Sequence, residues 1–192
     1  GNSYKKFTKI LIPHASELNE EKFKTKFNNK PVIIGNWSTK LKGENYIDLL
    51  QEKLPEFTFK KLDLDFKNKT IEEYNKLKQE YYIGGDIYLN LSVVEGASYA
   101  TIDAMINNLL IVSTNVGIME NDISKDAFVM LEWNNLDINL IVKKIRFIWK
   151  NRKIYKNKSR EEYFKMINWK KWKEQWYEIL DKFNNLQIDY KL

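Results

Sequence analysis

Two short apolar runs, Ile87-Tyr88-Leu89-Asn90-Leu91 and Leu109-Leu110-Ile111-Val112-Ser113, constrain this chain more than any other feature. Each has strand length, and each is bounded by turn formers: Gly84-Gly85-Asp86 before the first and Thr114-Asn115-Val116-Gly117 after the second. Strands apolar on both faces belong in the centre of a parallel sheet covered on both sides. Parallel neighbours need a crossover, and residues 99–108 have helical spacing, with Ile102, Met105, Ile106 and Leu109 near one face. Ser98 stands at the N-cap position. The unit is strand, loop, helix, strand. It places Ser92-Val93-Val94-Glu95-Gly96-Ala97-Ser98 at the carboxyl edge of the sheet, where backbone N–H groups and a helix N-terminus present partial positive charge to a phosphate.

Glu95 and Asp103 are separated by seven residues, so one carboxylate lies in the loop and the other one to two turns into the helix. Acids so placed suit hydroxyls, as acceptors for a sugar or a ribose beside the phosphate. The alternative is that Glu95 satisfies backbone donors near the helix start and Asp103 is a solvated helix residue.

The flanking sequence continues the alternation. Pro31-Val32-Ile33-Ile34-Gly35 reads as the first strand, with Asn36 to Gly43 as its loop and residues 44–54 as an amphipathic helix burying Ile47, Leu50 and Leu54. A second strand is expected at 57–62, then a helix to Tyr82 opened by a capping box between Thr70 and Glu73. A last strand at 127–131 precedes a helix capped by Asp137 with Ile138, Ile141, Ile145 and Ile148 inward. A terminal helix capped by Asn168 carries Trp169, Trp172, Trp176, Ile179, Leu180 and Phe183 on one stripe, expected to pack on the sheet or against a partner domain. This pattern predicts an α/β fold: a single Rossmann-like, doubly wound, mainly parallel sheet of about five strands. If the first strand and the 87–91 strand flank the point where strand order reverses, the Lys42 loop faces the Glu95 loop. A lysine and a helix N-terminus would then clamp a diphosphate.

The 192 residues suffice for one well-buried domain, and 43% hydrophobic content with 14% aromatic argues against disorder. No apolar run is long enough for a membrane-spanning helix, no cysteine is present, and the start shows no secretory pattern. An intracellular, cytoplasmic location is the expectation. The net charge of +6 is concentrated between Lys143 and Lys173, where thirteen Lys/Arg face two Glu. Such a strip suits nucleic acid or an anionic membrane surface, or is the solvated face of amphipathic helices; no nucleic-acid motif accompanies it, which disfavours that partner and leaves peripheral membrane contact open. Asp63-Leu64-Asp65 after the second strand reads as a solvated loop rather than a metal-nucleotide triplet, and His14 as a linker residue.

The residues from Asp86 to Ser92, Glu95-Gly96, Ile102-Asp103-Ala104-Met105, Leu110 to Gly117 and Glu120 together resemble the donor-binding C-terminal half of GT-B fold glycosyltransferases, especially the large retaining family 4, the group 1 glycosyl transferases. That family has a strand ending in Ser, two Glu separated by seven residues, then Ala-Met, then a strand ending in Thr-Asp-Val-Gly and a Glu. Here the second Glu is Asp103. Gly35, Lys42 and Gly43 resemble the family's diphosphate loop, in which Asn36 takes the place of an Arg and Lys40 is a candidate substitute.

The resemblance covers roughly residues 10–183 and implies an enzyme: a glycosyltransferase of hexosyl or deoxyhexosyl type, acting in glycan biosynthesis. It would move a sugar from a nucleoside diphosphate donor, UDP favoured over GDP, to a glycan or other hydroxyl acceptor with retention and no obligatory cofactor or metal. Lys42 and the amides of Ala97, Ser98 and Tyr99 would hold the diphosphate with Gly35, Asn36, Lys40 and Gly96 around it. Glu95 would hold the sugar hydroxyls and Asp103 the ribose. Glu95 and Lys42 are the expected catalytic pair. Residues 1–30 would be an interdomain-type linker and strand, and residues 31–192 the nucleotide-sugar-binding domain with C-terminal helices in 136–185. An N-terminal acceptor domain or a partner chain would complete the cleft. The competing expectations are an inactive or partner-dependent nucleotide-sugar-binding module, or a basic nucleic-acid or membrane-surface adaptor.

Overall fold

A computed structural model describes residues 16, 18–62, 69–120, 125–166 and 169–187. His14, the Asp63-Leu64-Asp65 triplet and Asn168 lie outside the described residues, so the expectations attached to them carry no structural account.

Five strands form one sheet: β1 Val32–Gly35, β2 Thr58–Lys61, β3 Ile87–Asn90, β4 Leu110–Thr114 and β5 Val129–Leu131. Their order is β2-β1-β3-β4-β5 and every pairing is parallel, with Ile33 opposite Ile87 and Tyr88 opposite Ile111. The α/β, doubly wound expectation holds. β1, β3 and β4 are buried along their whole length, as their unbroken apolar runs require, whereas the edge strand β2 turns Lys60 and Lys61 to solvent. β2 and β5 are shorter than expected because Phe57 and Ala127 belong to the turns that lead in: Phe57 N–H bonds the Leu54 carbonyl at 3.0 Å, and Ala127 ends a one-turn 3-10 helix.

Alternating strand residues feed two cores. Ile33, Ile87, Leu89, Leu110 and Val112 meet Leu50 and Leu54 of α1 (Glu44–Lys53) and Ile141, Ile145 and Ile148 of α4 (Ile138–Lys150). On the other face Val32, Ile34, Tyr88 and Ile111 meet Tyr82 of α2 (Ile71–Gly84), Ile102, Met105 and Ile106 of α3 (Tyr99–Ile106), and Tyr163. Each fully buried Leu or Ile contributes about 1.5–3 kcal/mol of transfer free energy. The Thr70–Glu73 capping box is formed, and the Asp137 carboxylate accepts from the N–H groups of Asn139 and Leu140, each at 2.9 Å.

Beyond α4 come a short helix α5 (Arg152–Tyr155), α6 (Lys158–Met166) and α7 (Trp169–Gln187). Several cations of the basic strip act inside the fold. Arg160 forks between the carbonyls of Ile106 and Glu20, closing the carboxyl end of α3, and Arg146 pairs with Glu56 at 2.8 Å. Arg152 lies 4.6 Å from the Trp149 ring centroid. The tryptophan stripe of α7 is covered in part. Trp172 packs against the α2/α3 core, whereas Trp176 and Leu180 remain 43% and 52% exposed. Among the described residues no helix is long and apolar enough to cross a membrane.

Candidate functional site

The order β2-β1-β3-β4-β5 reverses direction between β1 and β3, and in such sheets ligands bind outside the carboxyl ends of the two strands at that reversal. Two loops meet there. The β1 loop ends in a single 3-10 turn, Lys40–Lys42, and then Gly43 at φ 84°. A Cβ on Gly43 would stand 2.4 Å from Cβ of Leu91, so only glycine lets this loop press against the end of β3. The Val93 N–H bonds the Leu41 carbonyl at 3.0 Å, joining the two loops directly. The β3 loop is pinned from below: Thr114 Oγ1 donates to the Ser92 carbonyl at 2.6 Å, and the Asn90 carboxamide accepts from the Ser92 N–H at 3.1 Å.

On this frame Lys42 Nζ reaches Glu95 Oε1 at 2.5 Å, and the same oxygen accepts from Ser92 Oγ at 2.8 Å. The two residues expected to act together are therefore brought together. Both line a cavity of about 230 Å³ whose wall also includes Asn36, Ser92, Ser98, Tyr99, Lys78 and Asp103.

α3 starts at the floor of this cavity. Ser98 occupies the N-cap position but with φ 51°, ψ 51°, and its hydroxyl makes no capping bond. The expectation of a side-chain cap fails because the left-handed backbone turns the hydroxyl away from the first turn. Ser98 Oγ is instead buried, without a protein hydrogen-bond partner among the described residues, at the edge of the cavity. Tyr82 and Tyr88 close the cavity's inner side. Burial pushes both phenols well above the ordinary tyrosine range, so each is a neutral hydrogen-bonding group there.

Asp103 lies on the cavity wall and departs from one of its two sequence readings. It is 2% exposed, so it is not a solvated helix residue. Its Oδ1 accepts from Ser16 Oγ at 2.6 Å and its Oδ2 lies 2.5 Å from Lys78 Nζ, so both oxygens are already engaged. The carboxylate expected to receive ribose hydroxyls thus also holds a lysine at the cavity wall. Lys40 is exposed and does not line the cavity; neither do Gly35, Gly96 and Ala97. Glycine is demanded at 35 by packing, since a Cβ would stand 2.5 Å from the Trp37 ring and 2.6 Å from the Leu89 carbonyl.

Lys78 and Asn90 were not expected at the site. For Lys78 a signal existed: Tyr74, Lys78 and Tyr82 recur at a spacing of four, placing a lysine on the inward stripe of α2. Among the described residues no cluster of three or more His, Cys, Asp or Glu is placed to hold a metal ion.

No protein-family model and no curated protein matches the chain in sequence. Solved structures do match it in fold. Sucrose-phosphate synthase from Thermosynechococcus elongatus superposes with a TM-score of 0.75 at 13% identity, over 92% of this chain and 53% of that one. TarM from S. aureus, in a complex with fondaparinux, alpha-GlcNAc-glycerol and UDP, gives 0.58 at 18% identity, over 88% of this chain and 37% of that one. The C-terminal domain of a glycosyl transferase group 1 family protein, LpcC from Francisella tularensis, gives 0.50 at 18% identity, over 80% of this chain and 95% of that domain. The chain thus spans about half the synthase chain and nearly the whole of the isolated C-terminal domain. What is shared at these identities is the architecture, and it is that of the C-terminal-like half of GT-B glycosyltransferases.

Proposed function

We propose that this chain is the sugar-nucleotide-binding half of a glycosyltransferase that moves a sugar from a nucleoside diphosphate donor to a hydroxyl acceptor. The observation that carries the reading is the meeting of Lys42 and Glu95 at the strand-order reversal, in a cavity floored by the start of α3. A lysine and the amides of a helix N-terminus suit a diphosphate, and a carboxylate beside them suits sugar hydroxyls. UDP bound in TarM, and UDP with GlcNAc in the pneumococcal O-GlcNAc transferase GtfA, make a uridine donor the first to test.

In the reaction the bond from the anomeric carbon to the diphosphate oxygen breaks, and a bond to the acceptor oxygen forms. The acceptor's proton passes to the departing diphosphate, with configuration retained. Lys42 stabilises the charge that develops on the leaving group. Its ammonium pairs with Glu95. Donor binding exchanges that partner for phosphate and releases Glu95 to the sugar. The acceptor side of the cleft comes from a further domain or a partner chain, in keeping with a chain that spans about half of the synthase it resembles.

Calorimetric titration with UDP, GDP, dTDP and ADP, with and without magnesium, tests this reading. One nucleotide binds; Lys42→Ala weakens it about tenfold or more, equivalent to about 1.4 kcal/mol. Glu95→Gln strengthens free nucleoside diphosphate, because the lysine no longer has a competing anion, while weakening the preference for the sugar-bearing donor. Absence of binding for all four at millimolar concentration overturns the proposal.

A further inference from the structure

The cavity holds a second lysine–carboxylate pair that the reading above does not use. Lys78, projecting from the inward stripe of α2 between Tyr74 and Tyr82, is the outer member: its side chain is 19% exposed against 4% for Asp103. Asp103 is enclosed by Ser16 on one oxygen and Lys78 on the other. Each Asp103 oxygen already faces a protein group, and the carboxylate lies deeper than the ammonium. Lys78 keeps further donors, since an ammonium carries three and Asp103 occupies one. The pair therefore presents its positive end to the cavity.

Charge selects what that end can receive. Lys42 and Lys78 are the two cations among the residues lining the cavity, and the residue beside Lys42 on the β1 loop wall, Asn36, is neutral. A nucleoside diphosphate brings at least two negative charges into a half-enclosed space, and one lysine leaves part of that charge uncompensated. Ser98 Oγ, buried and without a protein partner, supplies a further donor at the same wall.

We propose that Lys78 is the second diphosphate-binding cation of this site, and that Asp103 is its positioning residue. The inference rests on reading the cavity as a nucleoside diphosphate site.

The test is calorimetric titration of the whole chain and of Lys78→Met, Lys78→Arg and Asp103→Asn with UDP, GDP, dTDP and ADP. The nucleoside of whichever diphosphate binds is titrated in parallel, and thermal melting checks that each variant is folded. Expected is a loss of about tenfold or more for the diphosphate in Lys78→Met, with nucleoside affinity held within about twofold and the loss partly restored in Lys78→Arg. Asp103→Asn is expected to weaken the diphosphate and spare the nucleoside, a split that simple loss of structure does not produce. If the unaltered chain binds none of the four, the site reading itself fails and the inference falls with it. If the unaltered chain binds and Lys78→Met binds equally well, the site reading stands and Lys78 has no part in it. Equal weakening of nucleoside and diphosphate overturns the phosphate assignment and moves the contact to the ribose.

Discussion

Asp86 shows how much one buried charge can organise. It is fully buried, and its carboxylate accepts from the N–H of Val32 at 2.8 Å, from the N–H of Asn28 at 3.0 Å and from the Asn28 carboxamide at 2.9 Å. Lys24 lies 3.0 Å away and is itself 6% exposed. One side chain thus ties the segment before β1 to the start of β3. Replacing Asp86 by Ala leaves the lysine without its counter-charge, and a loss of about 3–5 kcal/mol is expected in urea unfolding. In the sequence Asp86 was legible as the residue that opens a strand, whereas Lys24 lay unremarked in a charged stretch. Nothing local distinguishes a lysine that will be buried from one that will be solvated when its partner is distant along the chain. The same holds for Asp103. Its spacing from Glu95 was visible, but the partners that enclose it, Ser16 and Lys78, come from elements joined only by folding.

Helices announced themselves unequally. α4 combines an isoleucine stripe with Asp137 at its start, and the structure forms the cap with two bonds of 2.9 Å. Asp137→Ala is expected to cost about 1 kcal/mol, read as a lowered urea midpoint with an unchanged slope. α3 has a serine in the equivalent position, yet its left-handed backbone puts the hydroxyl to no use as a cap. Residue type marks a cap position; the dihedral angles that decide whether the side chain serves it depend on how the preceding loop is held. α7 makes a similar point about packing. Its stripe was plain in the sequence, but periodicity states only that one face is apolar, and the described fold covers Trp172 while leaving Trp176 and Leu180 largely open.

For the whole molecule, Tyr82 and Tyr88, two of the three buried tyrosines of the α2/α3 face with Tyr163, contribute to an alkaline limit. Tyr82 and Tyr88 have phenols raised by burial above the ordinary value of 10.0. Below that value both folded and unfolded chains hold the protons, and the tyrosines' contribution to stability is fully present. As pH rises past it the unfolded chain ionises first, so the folded state is progressively disfavoured. Circular dichroism is expected to report unfolding that begins above about pH 10. Tyr82→Phe shifts that limb upward while losing the bond to the Ala100 carbonyl, 3.2 Å in the fold and worth about 1 kcal/mol at neutral pH. A limb insensitive to both Tyr82→Phe and Tyr88→Phe places the alkaline transition at other groups, Tyr163 of the same core first among them.

By itself the sequence determined the α/β class, the five strands, the helix starts at Thr70 and Asp137, and the strand-loop-helix-strand unit around Glu95. These follow from periodicity, end signals and strand length, which act over a few residues. The tertiary structure alone decided that β1 and β3 are neighbours, and so that Lys42 and Glu95 meet. It also decided that Asp103 faces Ser16 and Lys78 and that Trp176 and Leu180 stay largely exposed in the described fold. Contacts between distant segments are set by strand order and by which faces the crossovers cover, and local propensity carries no record of either.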